Sequence, residues 1–249
     1  MKRFTVITGV LATFLLSSLT SLAQTPSRED LLKQIEAKRA ELATLEKSFL
    51  APAEEDQVRY AAFLRQSNTG LIRLLPREKF DGETYKENKK SIVMRGGGSY
   101  YSFARLTHEY GFGSDIELDQ GQFQVGFAGA DYGFLTNLGD VPIESVGPET
   151  PGVNFFAAYK PPKEEQLARR EYRRLSTGAE LEGLPVKSRV PVQSNSTYLL
   201  RSINYRTSDV LVVFRVVRID SDGSATIVWK LLKKYGKPEF TPAQTVDIG

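Results

Sequence analysis

The chain has 249 residues, with 33 basic and 30 acidic side chains, a formal charge of +3, 41% hydrophobic and 25% charged residues, and no cysteine. So small a charge imbalance is not the footprint of a nucleic-acid binder, and the apolar share belongs to an ordinary globular protein rather than a disordered one. Without a thiol there is no disulfide framework, cysteine nucleophile, cysteine metal site or lipid-bearing cysteine.

Residues 1–23 read as a secretory signal: Lys2 and Arg3 supply the charge, Phe4 to Leu16 the apolar run, and Ser21 and Ala23 the small residues before a cleavage point. The apolar run is shorter than the roughly 20 residues of a membrane span and is broken by Thr5, Thr8, Gly9 and Thr13. The expectation is cleavage near Ala23, release to the periplasm or the exterior, and a mature chain with no membrane span. Such a chain, of about 226 residues, is long enough to be held by its core alone.

Next comes "REDLLKQIEAKRAELATLEKSFL", residues 28–50, where Leu31, Ile35, Lys38, Leu42, Leu45 and Phe49 alternate spacings of four and three. That is a heptad seam carrying one lysine, and it predicts a helix with Ser27 as its N-cap. The seam suits either cover from the same chain, the reading preferred here, or a short coiled coil with a second copy through Leu31, Ile35, Leu42, Leu45 and Phe49. Pro52 ends the helix and starts another, so that 24–66 is expected to form a helical hairpin.

From about residue 67 the pattern changes to short apolar runs cut by Gly70, Pro76 and Gly82. "SDIELDQGQFQVGF" predicts two antiparallel strands around a Gln120-Gly121 turn, with Ile116, Leu118, Phe123, Val125 and Phe127 inward and Asp115, Glu117 and Asp119 on a solvated face. "DYGFLTNL" predicts another strand. The proline-rich stretch 147–163 reads as a linker, and "KEEQLARREYRRL" as a basic helix whose Lys163, Arg169, Arg170, Arg173 and Arg174 suit an acidic partner or a membrane surface, although the interleaved Glu164, Glu165 and Glu171 favour a solvated helix face. Near the end, "TYLLRSINY" precedes "DVLVVFRVVRIDSDGSATIVWKLLKKY", a hairpin turning at Gly223; its first strand is apolar on both parities, as in a strand covered on both faces. The fold class expected is α+β: the helical hairpin, then an antiparallel β-rich body over 67–249 with one inserted basic helix.

Two stretches invite a functional reading. In "IVMRGGGSYYSF", strands over 91–95 and 99–106 would make Gly96, Gly97 and Gly98 a turn, since glycine takes backbone angles that other residues avoid. The same donors beside Arg95, with Tyr100 or Tyr101, make the candidate binding surface for an anion or an acidic partner. Walker A and dinucleotide patterns are both absent from it. The chain's single histidine, His108, has no second histidine to share a metal with and is expected to be structural.

The second stretch is "DIELD", which sets Asp115, Glu117 and Asp119 about 7 Å apart on one strand face. It is similar to the Glu-x-Asp-x-Glu strand motif of the retaining β-glucanases of the jelly-roll type, and the resemblance implies a glycan hydrolase using those three carboxylates. Asp and Glu are exchanged at all three positions, and one tryptophan, Trp229, stands where those enzymes use several. The preferred reading is therefore a non-catalytic binding or assembly protein for an unidentified protein, glycan or anionic ligand, with the hydrolase as its alternative. Neither reading calls for a cofactor or a metal.

Overall fold

A computed structural model describes residues 26–80, 96–111, 113–126, 131–147, 149–181 and 183–242. The chain divides into two compact units, residues 1–43 and 44–249, and the division falls within the first helix. That helix, α1, spans Arg28–Phe49. Its start is fixed by reciprocal capping: the Asp30 amide donates to Ser27 Oγ at 3.1 Å and the Ser27 amide to Asp30 Oδ2 at 3.3 Å. None of its residues is buried, with Leu31 44% and Leu45 61% exposed. At its C-terminal end Phe49 meets the Phe80 ring edge-on, with centres 5.9 Å apart. Residues 54–64 form two short helices, α2 (Glu54–Arg59) and α3 (Ala61–Leu64), whose buried residues face the body instead. Asp56 pairs with Arg218 at 2.7 Å and Phe63 enters the core.

The body follows in chain order: β1 (Thr69–Leu74), α4 (Arg77–Phe80), β2 (Tyr100–Tyr101), β3 (Ile116–Asp119), β4 (Gln122–Gln124), β5 (Asp131–Gly139), α5 (Val153–Ala158), α6 (Glu165–Thr177), β6 (Ala179–Leu181), β7 (Leu184–Val186), β8 (Arg189–Pro191), β9 (Thr197–Asn204), β10 (Ser208–Ile219) and β11 (Ala225–Lys234). Among the described residues the strands form an antiparallel five-stranded sheet in the order β1-β11-β10-β9-β5, a smaller sheet β2-β3-β4-β8, and the pair β6-β7. Mixed α+β architecture is therefore present.

The large sheet is buried on both faces, and its two parities go to different cores. Val210, Val212, Phe214 and Val216 of β10 meet Ile116, Leu118 and Phe123 of the small sheet, together with Ile227 and Trp229. Leu211 and Val213 point the other way and meet Phe156, Ala168 and Leu175 from α5 and α6. This is why β10 is apolar at nearly every position. The β10-β11 hairpin turns through Gly223 at φ 87°, and β3-β4 turns through Gln120 and Gly121, both with positive φ. A difference from expectation appears at 99–106, where only Tyr100 and Tyr101 are strand and residues 103–106 form a turn. The hydroxyl of Ser102 and the amides of Phe103 and Ala104 turn instead toward the Asp115 carboxylate, at 3.2, 2.7 and 3.3 Å.

Candidate functional site

The site that the structure assembles lies where the far end of the β9-β10 hairpin meets the residues after β11. Odd-numbered residues of both strands face the helices, which places Arg201 of β9 and Asp209 of β10 side by side. They form a bidentate pair, Nε to Oδ1 at 2.7 Å and Nη2 to Oδ2 at 2.9 Å, while Nη1 donates to the Phe156 carbonyl at 2.9 Å. Arg201 is 0% exposed and its guanidinium lies 3.3 Å from the centre of the Tyr235 ring. Burial pushes the Asp209 carboxyl up, against the opposing pull of Arg201. A planar, fully engaged guanidinium of this kind is a rigid floor rather than a free cation.

Over that floor the chain after Lys234 is tied down at several points. The Tyr235 amide donates to Asp209 O at 2.9 Å, the Arg206 amide to Pro238 O at 2.8 Å, and the Thr241 amide to Lys163 O at 2.8 Å. Tyr235 Oη donates to Ala157 O at 2.8 Å, Tyr205 Oη to Pro162 O at 2.6 Å, and the Tyr205 and Phe240 rings stack at 3.8 Å. These ties hold two walls, residues 157–163 and 235–242, on either side of a cleft of about 930 Å³. That volume lies at the upper end for ligand sites. Half-buried rings of Tyr159, Tyr235 and Phe240 line it, and exposed Lys160, Lys163, Lys233 and Lys237 surround them. Asp209, held by Arg201, and Glu239 are its acids. Lys160, Lys163 and Lys237 have no carboxylate partner among the described residues. The cleft therefore presents unneutralised positive charge around aromatic surface, an arrangement suited to an anion with apolar faces.

The stretches singled out in the sequence lie elsewhere. Arg95 falls outside the described residues. Gly96, Gly97 and Gly98 are buried, all at positive φ, and a Cβ on Gly98 would lie 2.6 Å from Leu50 and 3.1 Å from Leu75. Tyr100 and Tyr101 are 4% and 5% exposed, although strand alternation led us to expect one of them outside. Tyr100 packs on Tyr110 with ring centres 4.6 Å apart; Tyr101 packs among Phe103, His108 and Trp229. His108 has Nε2 2.9 Å from Arg73 O, and burial lowers its pKa to about 4.

The acidic strand also differs from expectation. Asp115, Glu117 and Asp119 are 0%, 1% and 7% exposed, not solvated; Glu117 and Asp119 lie within reach of each other and of Arg77, while Asp115 has surroundings of its own. Asp115 precedes β3, so the pleat does not set its direction; it turns inward to accept from Ser202 Oγ at 2.6 Å and Asn204 Nδ2 at 3.0 Å as well as from the 102–104 turn. Glu117 is covered by α4 and accepts from Arg77 at 2.8 Å. Asp119 accepts from Gln124 at 3.3 Å. Burial raises Asp115 to about 6, and a further carboxyl, Asp131 at the start of β5, is raised to about 7 by burial first and the Asp115 charge second. None of the three strand carboxylates lines the cleft.

Sequence reasoning missed the cleft. A signal is present in "KLLKKYGKPEF", where Lys230, Lys233, Lys234 and Lys237 alternate with Tyr235 and Phe240, and in Pro161-Pro162-Lys163, where the linker pattern meets the basic helix. In α6, Arg169 pairs with Glu165 and Arg174 with Glu171, at 2.6 and 2.7 Å, so much of its charge is internally balanced.

No protein-family model, curated protein or solved structure matches the chain.

Proposed function

We propose that the protein is an exported, non-catalytic binding protein that holds an anionic ligand in the cleft between residues 157–163 and 235–242. The observation that carries this reading is the cleft itself: about 930 Å³, walls tied by backbone hydrogen bonds, and four lysines around three half-buried rings. Preformed walls reduce the ordering cost of binding, and unpaired lysines attract anions over a range that salt shortens. The hydrolase alternative draws no comparable support, because its three carboxylates are buried, accept hydrogen bonds from the protein itself and do not line the cleft.

The test is a binding screen of the purified chain against immobilised anionic and neutral ligands at low and high salt, beside the double variant Lys163→Gln, Lys237→Gln. Capture of anionic ligands that weakens with salt and in the variant is expected. Equal capture by both proteins would remove the cleft from the reading.

Assembly is a second element of the proposal. The exposed Leu31, Ile35, Leu42, Leu45 and Phe49 of α1 repeat at heptad spacing, the pattern by which a helix seats side chains between those of a second copy. Sedimentation of the full chain is expected to show a self-associated species that Leu42→Asp dissociates; an unchanged mass would count against it.

A further inference from the structure

This inference rests on the anion-binding reading above and names the class of ligand. We propose that the cleft takes an acidic oligosaccharide, a chain of sugar rings bearing carboxylates, with its rings laid over Tyr159, Tyr235 and Phe240 and its carboxylates facing Lys160, Lys163, Lys233 and Lys237.

Three features select this class. The first is how the positive charge is distributed. The guanidinium among the lining residues, that of Arg201, is spent on Asp209 and Phe156 O, so the cleft lacks the fork that grips a phosphate or a single carboxylate in bidentate fashion. Lysines on flexible stems remain, and they recognise point charges spread along a ligand rather than one compact anion.

The second is the lining backbone. Pro161, Pro238 and Pro242 have no N–H, and the amides of Tyr235 and Thr241 are already bonded to Asp209 O and Lys163 O. An extended acidic peptide, which binds through main-chain ladders, meets a lining whose row of N–H groups is interrupted by those prolines and bonded amides. Recognition falls to side chains: the Tyr159 hydroxyl, which has no hydrogen-bond partner among the described residues, and the lysines.

The third is the bed. Tyr159, Tyr235 and Phe240 are half-buried lining residues, with Lys233 Nζ 4.7 Å from the Tyr235 ring centre, and such rings supply flat amphipathic surface at little entropic cost, matching the apolar faces and polar edges of a sugar ring. Tyr235 is held by Arg201 at 3.3 Å and Phe240 by Tyr205 at 3.8 Å, so both rings are set before a ligand arrives. A cleft of about 930 Å³ has room for several sugar rings.

The experiment titrates the full chain calorimetrically with a short linear oligogalacturonate, its neutral methyl ester, poly-glutamate, and phosphatidylglycerol vesicles. The oligogalacturonate is expected to bind at least about tenfold more tightly than each of the others, and to weaken about tenfold in Lys163→Gln, Lys237→Gln. Phe240→Leu, which keeps every lysine, is expected to weaken the oligogalacturonate but leave poly-glutamate unaffected. Lysine-dependent binding of poly-glutamate or vesicles equal to that of the uronate would overturn the sugar class and leave the anion reading standing. Equal binding of ester and acid, or no anion whose affinity falls in the lysine variant, would overturn both.

Discussion

Two of the places where the body buries charge are stabilised differently. Under the cleft, Arg201 and Asp209 are opposite charges in a bidentate pair, with a third donor bond to Phe156 O and a ring as cover. Between the sheets, Asp115 and Asp131 are like charges with no cation beside them among the described residues: Asp115 is surrounded by neutral donors from Ser102, Phe103, Ala104, Ser202 and Asn204, while Asp131 Oδ2 has no hydrogen-bond partner among those residues. Charge is balanced within the first site, whereas the second depends on hydrogen bonds and on a proton. One site should be indifferent to mild pH and intolerant of losing a partner; the other should respond to pH.

The largest expected effect breaks the first site. Arg201→Ala leaves Asp209 buried and alone, and chemical denaturation should show a loss of about 3–5 kcal/mol. Replacing both partners with apolar residues, Arg201→Met with Asp209→Leu, should recover most of that loss. A single variant as stable as the wild type would mean the pair is not buried as described.

A smaller loss is expected at Asp115. An amide at that position must direct its NH2 at one of the donors now facing a carboxylate oxygen, so Asp115→Asn should cost about 2 kcal/mol at neutral pH. The same exchange at Asp131 should have the opposite sign. Its carboxyl titrates near about 7 when folded, well above the usual carboxylate value of about 3.9. The folded state therefore holds the proton more tightly between those values. The contribution of this group is full below about pH 4 and is lost as pH rises through about 7. Asp131→Asn should stabilise the protein by about 1–2 kcal/mol at pH 8 and by progressively less toward pH 4. A difference between variant and wild type that stays constant across that window would show that folding does not raise the Asp131 pKa. The smallest effect is expected at the rim: Lys163→Gln with Lys237→Gln should change stability by less than about 0.5 kcal/mol, the change being confined to binding.

These contrasts explain what could be read before the fold was known. The β10-β11 hairpin was legible because a strand covered on both faces must be apolar on both parities, and Val210 to Val217 meet that condition. The α1 helix was legible from its heptad spacing and its Ser27 cap, since both are local. What covers the helix was not, because a seam records only that a surface is apolar. Asp115, Glu117 and Asp119 were misplaced for a related reason: alternation separates two faces of a strand but does not say whether the second face meets water, and here α4 covers it at Glu117, while Asp115, ahead of the strand, turns to the inner face against β9.

Chain-local chemistry thus determined the helix start, the turns at Gln120-Gly121 and Gly223, and the strands of the large sheet, each set by side-chain period or backbone angle within a few residues. Tertiary structure alone decided the cleft and both charged sites. Arg201 meets Phe156 across 45 positions and Asp115 meets Ser202 across 87, and Lys163 meets Thr241 only because the chain beyond β11 returns across the β9-β10 turn. Burial, and with it the electrostatic character of a side chain, depends on what packs over it, and that partner is set by the whole arrangement of sheets and helices rather than by neighbours in sequence.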